Sequence, residues 1–174
     1  MNTVWVRLNA VVFFGLTVLL GLALMTATST YLHEGHPTVK TLRLNKIKSF
    51  RSQSKVDRAI INFDLEADLA PAFNWNIKQI FVFVVAEFAT KTNPLNQIIL
   101  WDKIIEKPED ARLNLKKMHV KYGLIDQREE LKGTDVTLHL YWDHMPLTGR
   151  LYTHSVAEDT FTLPMEYIRP GQQV

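Results

Sequence analysis

The order of apolar and polar positions divides the chain near Leu32. From Leu8 to Leu32 run 25 residues without a formal charge. The most apolar part, Leu8 to Ala27, is long enough to cross one hydrocarbon core as a helix of about 30 Å. A charge at the centre of such a helix costs about 2.5–3.5 kcal/mol on insertion scales, so the unbroken run meets a physical requirement for crossing. Gly15 and Gly21 would weaken a helix in water but are tolerated in lipid, and their spacing of six is not a GxxxG pairing motif. A cleaved signal peptide competes with this reading, with Arg7 as its basic end and Ala27-Thr28-Ser29 as a small-x-small cleavage site. Length favours the uncleaved anchor. Val11 to Met25 already fills the upper limit of such a peptide's apolar region, and Leu8 to Ala10 extend it. Charge leaves the orientation open, because Arg7 and the amino terminus precede the segment while Lys40, Arg43 and Lys46 follow it within about 20 residues.

Beyond a short polar connector, residues 33–37, the period changes to two. In Arg58–Asp68, Ile61, Phe63, Leu65 and Ala67 fall on one face and Asn62, Asp64, Glu66 and Asp68 on the other, the pattern of a strand with one wet face. Ile80–Ala89 is apolar on both sides, with Glu87 the exception, and predicts a central strand covered on both faces. Further strands are expected at Val39–Lys48, Gln97–Ile105, Ala111–Met118, Val120–Asp126, Val136–Asp143, Arg150–Val156 and Thr160–Leu163, with a short helix over Ala111–Lys121 as the alternative for that stretch. Lys132-Gly133 and Pro146-Leu147-Thr148-Gly149 supply turns on either side of Val136–Asp143. Eight or nine strands with no long helical period outside the anchor predict an all-β fold, an antiparallel β-sandwich preceded by a single N-terminal transmembrane helix.

Composition sharpens this division. Over all 174 residues the chain is 47% apolar with a net charge of +2, but residues 1–32 carry a single charged side chain and residues 33–174 carry 37. The near balance of charge argues against a nucleic-acid binder driven by a basic field. Cysteine is absent, which removes disulfides, thiolate nucleophiles and every sulfur-dependent zinc site.

Candidate chemistry is sparse. His33-Glu34-Gly35-His36 has zincin-like letters, but that motif needs His at i and i+4 on one helical face, whereas the spacing here is three and Gly-His-Pro forbids a continuing helix. A polar membrane-surface linker is the better reading. His139 and His144, five apart on one strand, face opposite ways and are expected at the surface. Of the five serines, Ser155 adjoins His154 and points away from it, while Ser49, Ser52 and Ser54 are expected in a loop without a nucleophile context. No catalytic residue, metal ligand or cofactor site is expected. Lys40–Arg58 carries seven basic residues against Asp57 alone, and its alternation with Leu42, Leu44 and Ile47 favours a solvated amphipathic strand over a lipid-binding patch.

Polar-aromatic clusters flank the most apolar strand. Phe73-Asn74-Trp75-Asn76, with Lys78-Gln79, precedes it, and Leu95-Asn96-Gln97 with Leu100-Trp101-Asp102 follows it. Asn and Gln beside Trp suit hydrogen-bonded turns or a partner surface, although core burial is the simpler expectation for Trp75 and Trp101.

These clusters, together with Ala67-Asp68-Leu69, Phe81, Phe83, Ala86-Glu87, Asn93 and Lys103-Ile104, resemble the signal peptidase complex subunit 3 family of eukaryotes. The resemblance runs from Arg7-Leu8-Asn9 through Tyr122, Leu131-Lys132-Gly133 and Thr137–Trp142 to Pro146. It implies a single-pass type II protein of the endoplasmic-reticulum membrane, with residues 1–7 cytosolic, 8–32 a signal anchor, 33–37 a linker and 38–174 a lumenal sandwich. It also implies a non-catalytic accessory role beside a separate serine-protease subunit that removes signal peptides. The partners would be that catalytic subunit, the other membrane subunits and the lipid bilayer, with no nucleic acid and no cofactor. Asn74, Trp75, Asn76, Lys78, Gln79, Asn96, Gln97, Trp101 and Asp102 are then candidate partner-contact or family-motif positions. Some family members carry an N-x-S/T acceptor near the strand after Lys-Gly; this chain has none anywhere. The alternative is a membrane-anchored or secreted sandwich that serves another complex.

Overall fold

A computed structural model describes residues 3–33 and 35–168. Thr3 stands at the N-cap position of helix α1, Val4–Ser29, and a short 3-10 turn, Thr30–Leu32, continues it. The helix starts before Arg7 and so carries one charge, which a long side chain near a helix end can hold at the membrane surface. It is long and apolar enough to cross a membrane, and none of its residues is buried against the rest of the chain.

Among the described residues eight antiparallel strands follow, β1 Thr38–Gln53, β2 Val56–Asp68, β3 Ile77–Phe88, β4 Asn96–Ile105, β5 Arg112–His119, β6 Leu124–Asp126, β7 Asp135–Pro146 and β8 Tyr152–Thr162. One sheet has the order β1-β2-β5, with β6 pairing along β2 beyond β5; the other has the order β4-β3-β7-β8. Their inner faces make the core. The predicted alternation in β2 is realised, since Ile61, Phe63, Leu65 and Ala67 are all buried. They meet Ile80, Val82, Val84 and Ala86 of β3 and Leu138, Leu140 and Trp142 of β7 in a single apolar cluster. Each buried Val, Leu, Ile or Phe side chain among them contributes about 1.5–3 kcal/mol by leaving water.

Several elements differ from the sequence reading. β1 runs past Lys48 to Gln53, so Ser49 and Ser52 lie in a strand rather than a loop. The hairpin closes through Ser54 and Lys55, both with positive φ (54° and 63°), a two-residue turn whose twist matches the strands it joins. Ala111–Met118 is extended and not helical, apart from a 3-10 turn at Pro108–Ala111. The strand expected at Val120–Asp126 shrinks to Leu124–Asp126, because Lys121 and Tyr122 instead donate their backbone N–H groups to Leu100 along the edge of β4. Arg150–Val156 and Thr160–Leu163 merge into β8, whose pairing with β7 shifts register opposite Leu138 and His139. β3 does lie inside its sheet, but only its inner face is fully covered; Phe81 and Phe83 on the outer face stay half-buried. The described residues stop at Ile168, which exchanges two backbone hydrogen bonds with Phe50, so residues 169–174 of the expected sandwich lie outside them.

Candidate functional site

Chemistry-bearing side chains gather where the end of α1 meets the sandwich. Trp75, on the turn before β3, is 59% exposed and donates its indole N–H to Ser29 Oγ at 3.0 Å. Core burial is therefore the wrong reading for Trp75; it holds the helix end. His33 Nε2 lies 3.1 Å from the Pro71 carbonyl, and its ring meets Trp75 edge-on. On the β7–β8 turn, Thr148 Oγ1 reaches the Ala23 carbonyl at 3.5 Å. Gly35 passes so close to Pro71 that a Cβ there would stand 1.9 Å from the Pro71 carbonyl oxygen, so only glycine suits this crossing.

Asn76 organises the sandwich side. Its Nδ2 donates to the Thr148 carbonyl at 2.7 Å, and its Oδ1 accepts from the Thr148 N–H at 3.1 Å and from the Thr148 hydroxyl at 3.2 Å. Asn74 Oδ1 accepts the Asn76 N–H, an Asx turn that sets the approach to β3. Lys78 is exposed, and Gln79 donates to Met145 Sδ.

The other predicted positions lie elsewhere. Asn96 and Gln97 stand at the opposite end of β3, where Asn96 Nδ2 holds the Phe88 carbonyl and Gln97 donates to Glu87 at 2.9 Å across the strands. Trp101 is buried edge-on against Phe63, as core burial predicts, and Asp102 pairs with Lys121 at 3.4 Å. The clusters on either side of the most apolar strand thus belong to two ends and a core, not to one site.

A cavity of about 310 Å³ opens beside the junction, lined by His33, His36, Trp142, His144, Tyr152 and His154 among others. His144 is not at the surface as expected; it is 6% exposed, and its ring stacks on Tyr152 with centroids 4.6 Å apart. Among the described residues its Nδ1 has no partner, and neither has the buried Nε1–H of Trp142. Burial, reinforced by His154, pushes the His144 imidazole down from 6.5 to about 4, while the Tyr152 backbone and Asp143 oppose the shift. The unfolded chain therefore takes up this proton near pH 6.5 and the folded chain only near 4, so stability falls as pH drops through that window and is unaffected above it. Denaturant unfolding of the full chain in detergent should show this acid loss, and His144→Phe should reduce it; an unchanged profile would exclude His144 as its source.

Two residues of the basic segment are paired. On the outer face of the first sheet Lys40 pairs with Glu66 at 2.9 Å and Arg43 with Asp64 at 3.5 Å. The Lys117 backbone N–H, then the Asn45 amide, hold the Asp64 carboxyl below the usual range. These are exposed cross-strand pairs of modest worth, as the amphipathic-strand reading predicts. Of the His33-Glu34-Gly35-His36 motif, Glu34 lies outside the described residues, and no group of three metal-ligating side chains converges among those described. Asn74, Trp75 and Asn76 stand out in the sequence, but their partners do not: the contacts join residues 46, 72 and 125 positions apart, and no local period announces them.

On the outer face of the second sheet Phe81 stacks on Phe83, and Phe83 on Tyr141, with centroids 5.1 and 5.3 Å apart. Beside them Ile99 is 41% exposed.

Comparison with known proteins adds an independent line. Residues 1–166 match a family model described as signal peptidase subunit. The signal peptidase complex subunit 3 of Dictyostelium discoideum is 34% identical over 169 residues, covering 97% of this chain and 98% of that protein. The proteins of the same name from Gallus gallus and Homo sapiens are 39% and 38% identical over 157 residues, 87% of each chain.

Proposed function

The chain belongs to the signal peptidase subunit family, and on that premise we propose that it is a non-catalytic accessory subunit of the signal peptidase complex in the endoplasmic-reticulum membrane. The observation that carries this reading is likeness over nearly the full length, helix and sandwich together, to proteins named as that subunit. In this reading α1 is a single-pass type II anchor, residues 1–7 face the cytosol and the sandwich stands in the lumen beside a separate serine protease. The sandwich supplies no reacting atoms. It holds another subunit in a competent arrangement, a positioning effect. The half-buried aromatic ladder Phe81-Phe83-Tyr141, flanked by the exposed Ile99 and Ile104, suits the partner surface, because apolar area left on a sheet face marks protein contacts. Asn74 to Gln79 then serve the helix–sandwich junction, while Asn96 and Gln97 shape the distal hairpin.

Purification of the full chain through a mild detergent tests the reading. A multi-subunit assembly that contains a serine protease and cleaves signal peptides is the expected result, and Ile99→Asp should weaken retention of the protease. A chain that purifies alone, or with unrelated partners, would overturn it in favour of a sandwich serving another complex.

A further inference from the structure

A second cavity, of about 560 Å³, adjoins the first and shares Thr30, His33, Tyr152 and His154 with it. Ala27 and Thr28 of the helix form one wall; Asn76, Pro146, Thr148, Gly149 and Arg150 of the sandwich lie on the other side. If Leu8–Ala27 fills the hydrocarbon core, the residues immediately after Ala27 emerge at headgroup level, and the cleft lies at that depth.

Its chemistry is one-sided. No carboxylate stands among the described residues lining either cavity. Arg150 is exposed and makes no ion pair among the described residues, and no described residue takes a hydrogen bond from the His154 ring. Trp142, whose buried Nε1–H lacks an acceptor among the described residues, lines the adjoining chamber. The negative pole at a helix C-terminus would ordinarily repel an anion here. That pole is blunted, since the hydroxyls of Ser29 and Thr30 donate to the last-turn carbonyls of Thr26 and Ala27 at 2.8 and 2.7 Å. A cleft with unused donors, one fixed cation and an apolar floor at Ala27 and Pro146 matches a phosphodiester attached to a lipid tail.

We propose that the cleft between the end of α1 and the sandwich holds the phosphodiester headgroup of one bilayer phospholipid, with Arg150 as the principal phosphate contact and His154 as a second donor. The proposal rests on reading α1 as a membrane anchor, and the test separates the two.

Full chain purified in detergent would be mixed with dioleoylphosphatidylcholine, with dioleoylglycerol, which has the same tails and no phosphate, or with inorganic phosphate. Retained adducts are then counted by native mass spectrometry. Wild type should retain one phosphatidylcholine and no dioleoylglycerol. Arg150→Ala and the longer, uncharged Arg150→Gln should each lower that retention about ten-fold, the scale of one charged hydrogen bond. Thermal unfolding of the exposed-site variants should match wild type. Equal retention in wild type and both variants, or equal retention of dioleoylglycerol, would overturn the proposal. A phosphate adduct as persistent as the lipid's, and lost with Arg150, would reassign the cleft to a free anion and overturn it too. A chain that stays in solution without detergent would instead remove the anchor reading itself.

Discussion

Cells that carry residues 1–32 in place of the full chain are expected to accumulate unprocessed secretory precursors and to lose much of the catalytic signal peptidase subunit. The truncated form keeps the apolar helix and removes the connector and every strand, so it separates membrane insertion from what the sandwich supplies. On the proposed function the sandwich contributes contacts to another subunit, and those contacts stabilise the partner by mass action. Losing even about 1–2 kcal/mol of that stabilisation shifts the steady-state abundance of a marginal protein several-fold, because its unfolded fraction is continuously degraded. Immunoblotting for the catalytic subunit, with pulse-labelled precursor cleavage as the activity readout, checks both limbs. Normal abundance and normal processing in such cells would overturn the accessory role. Normal abundance with slow processing would place the effect in the geometry of the active assembly.

Asn76→Asp is expected to be among the most damaging single-atom-scale changes outside the apolar core. Asn76 is 2% exposed and matches Thr148 donor for acceptor, while its own backbone carbonyl accepts the Leu147 N–H at 2.7 Å. Aspartate keeps the shape but replaces Nδ2 with an oxygen that confronts the Thr148 carbonyl, where a 2.7 Å hydrogen bond stood. A buried carboxylate facing an acceptor loses the hydrogen bond and suffers desolvation, together about 2–4 kcal/mol. For a chain of this size that lowers Tm by roughly 5–15 °C. Asn76→Ala should cost less, since it strands the Thr148 groups without setting two acceptors against each other. Thermal melts of the full chain in detergent rank the two. Equal stability of Asn76→Asp and wild type would show that the β7–β8 turn is held by other contacts.

The parts of the fold that were legible in the sequence are those whose burial is periodic. In β2 one face is core and the other polar, with Asn62 buried there among hydrogen bonds instead of exposed, so Ile61, Phe63, Leu65 and Ala67 declare themselves, and the uncharged run of α1 does the same for lipid. The end of β1 was illegible because Phe50 is the one apolar residue among the polar Ser49, Arg51, Ser52 and Gln53, and the Ser54-Lys55 turn uses positive φ without Asn or Gly, the residues that ordinarily signal it. β8 looked like two strands because Glu158 and Asp159 interrupt its pattern, yet Asp159 belongs to it and accepts the Leu44 N–H at 2.8 Å to link the two sheets. The junction was half legible. Asn74 and Asn76 stood out as a turn beside Trp75, but their partners on the helix and on the β7–β8 turn are fixed only by tertiary structure.

The contacts Ser29–Trp75, His33–Pro71 and Ala23–Thr148 couple the end of α1 to the sandwich. A transmembrane helix takes its tilt from the helices packed beside it. With β3 twelve residues long, about 36 Å at ordinary strand rise, a tilt of about 20°, the average for membrane helices, would displace the distal Phe88 hairpin by about 12 Å relative to an untilted helix if the two elements turn as one. Neighbours buried inside the bilayer would then aim a surface they never touch.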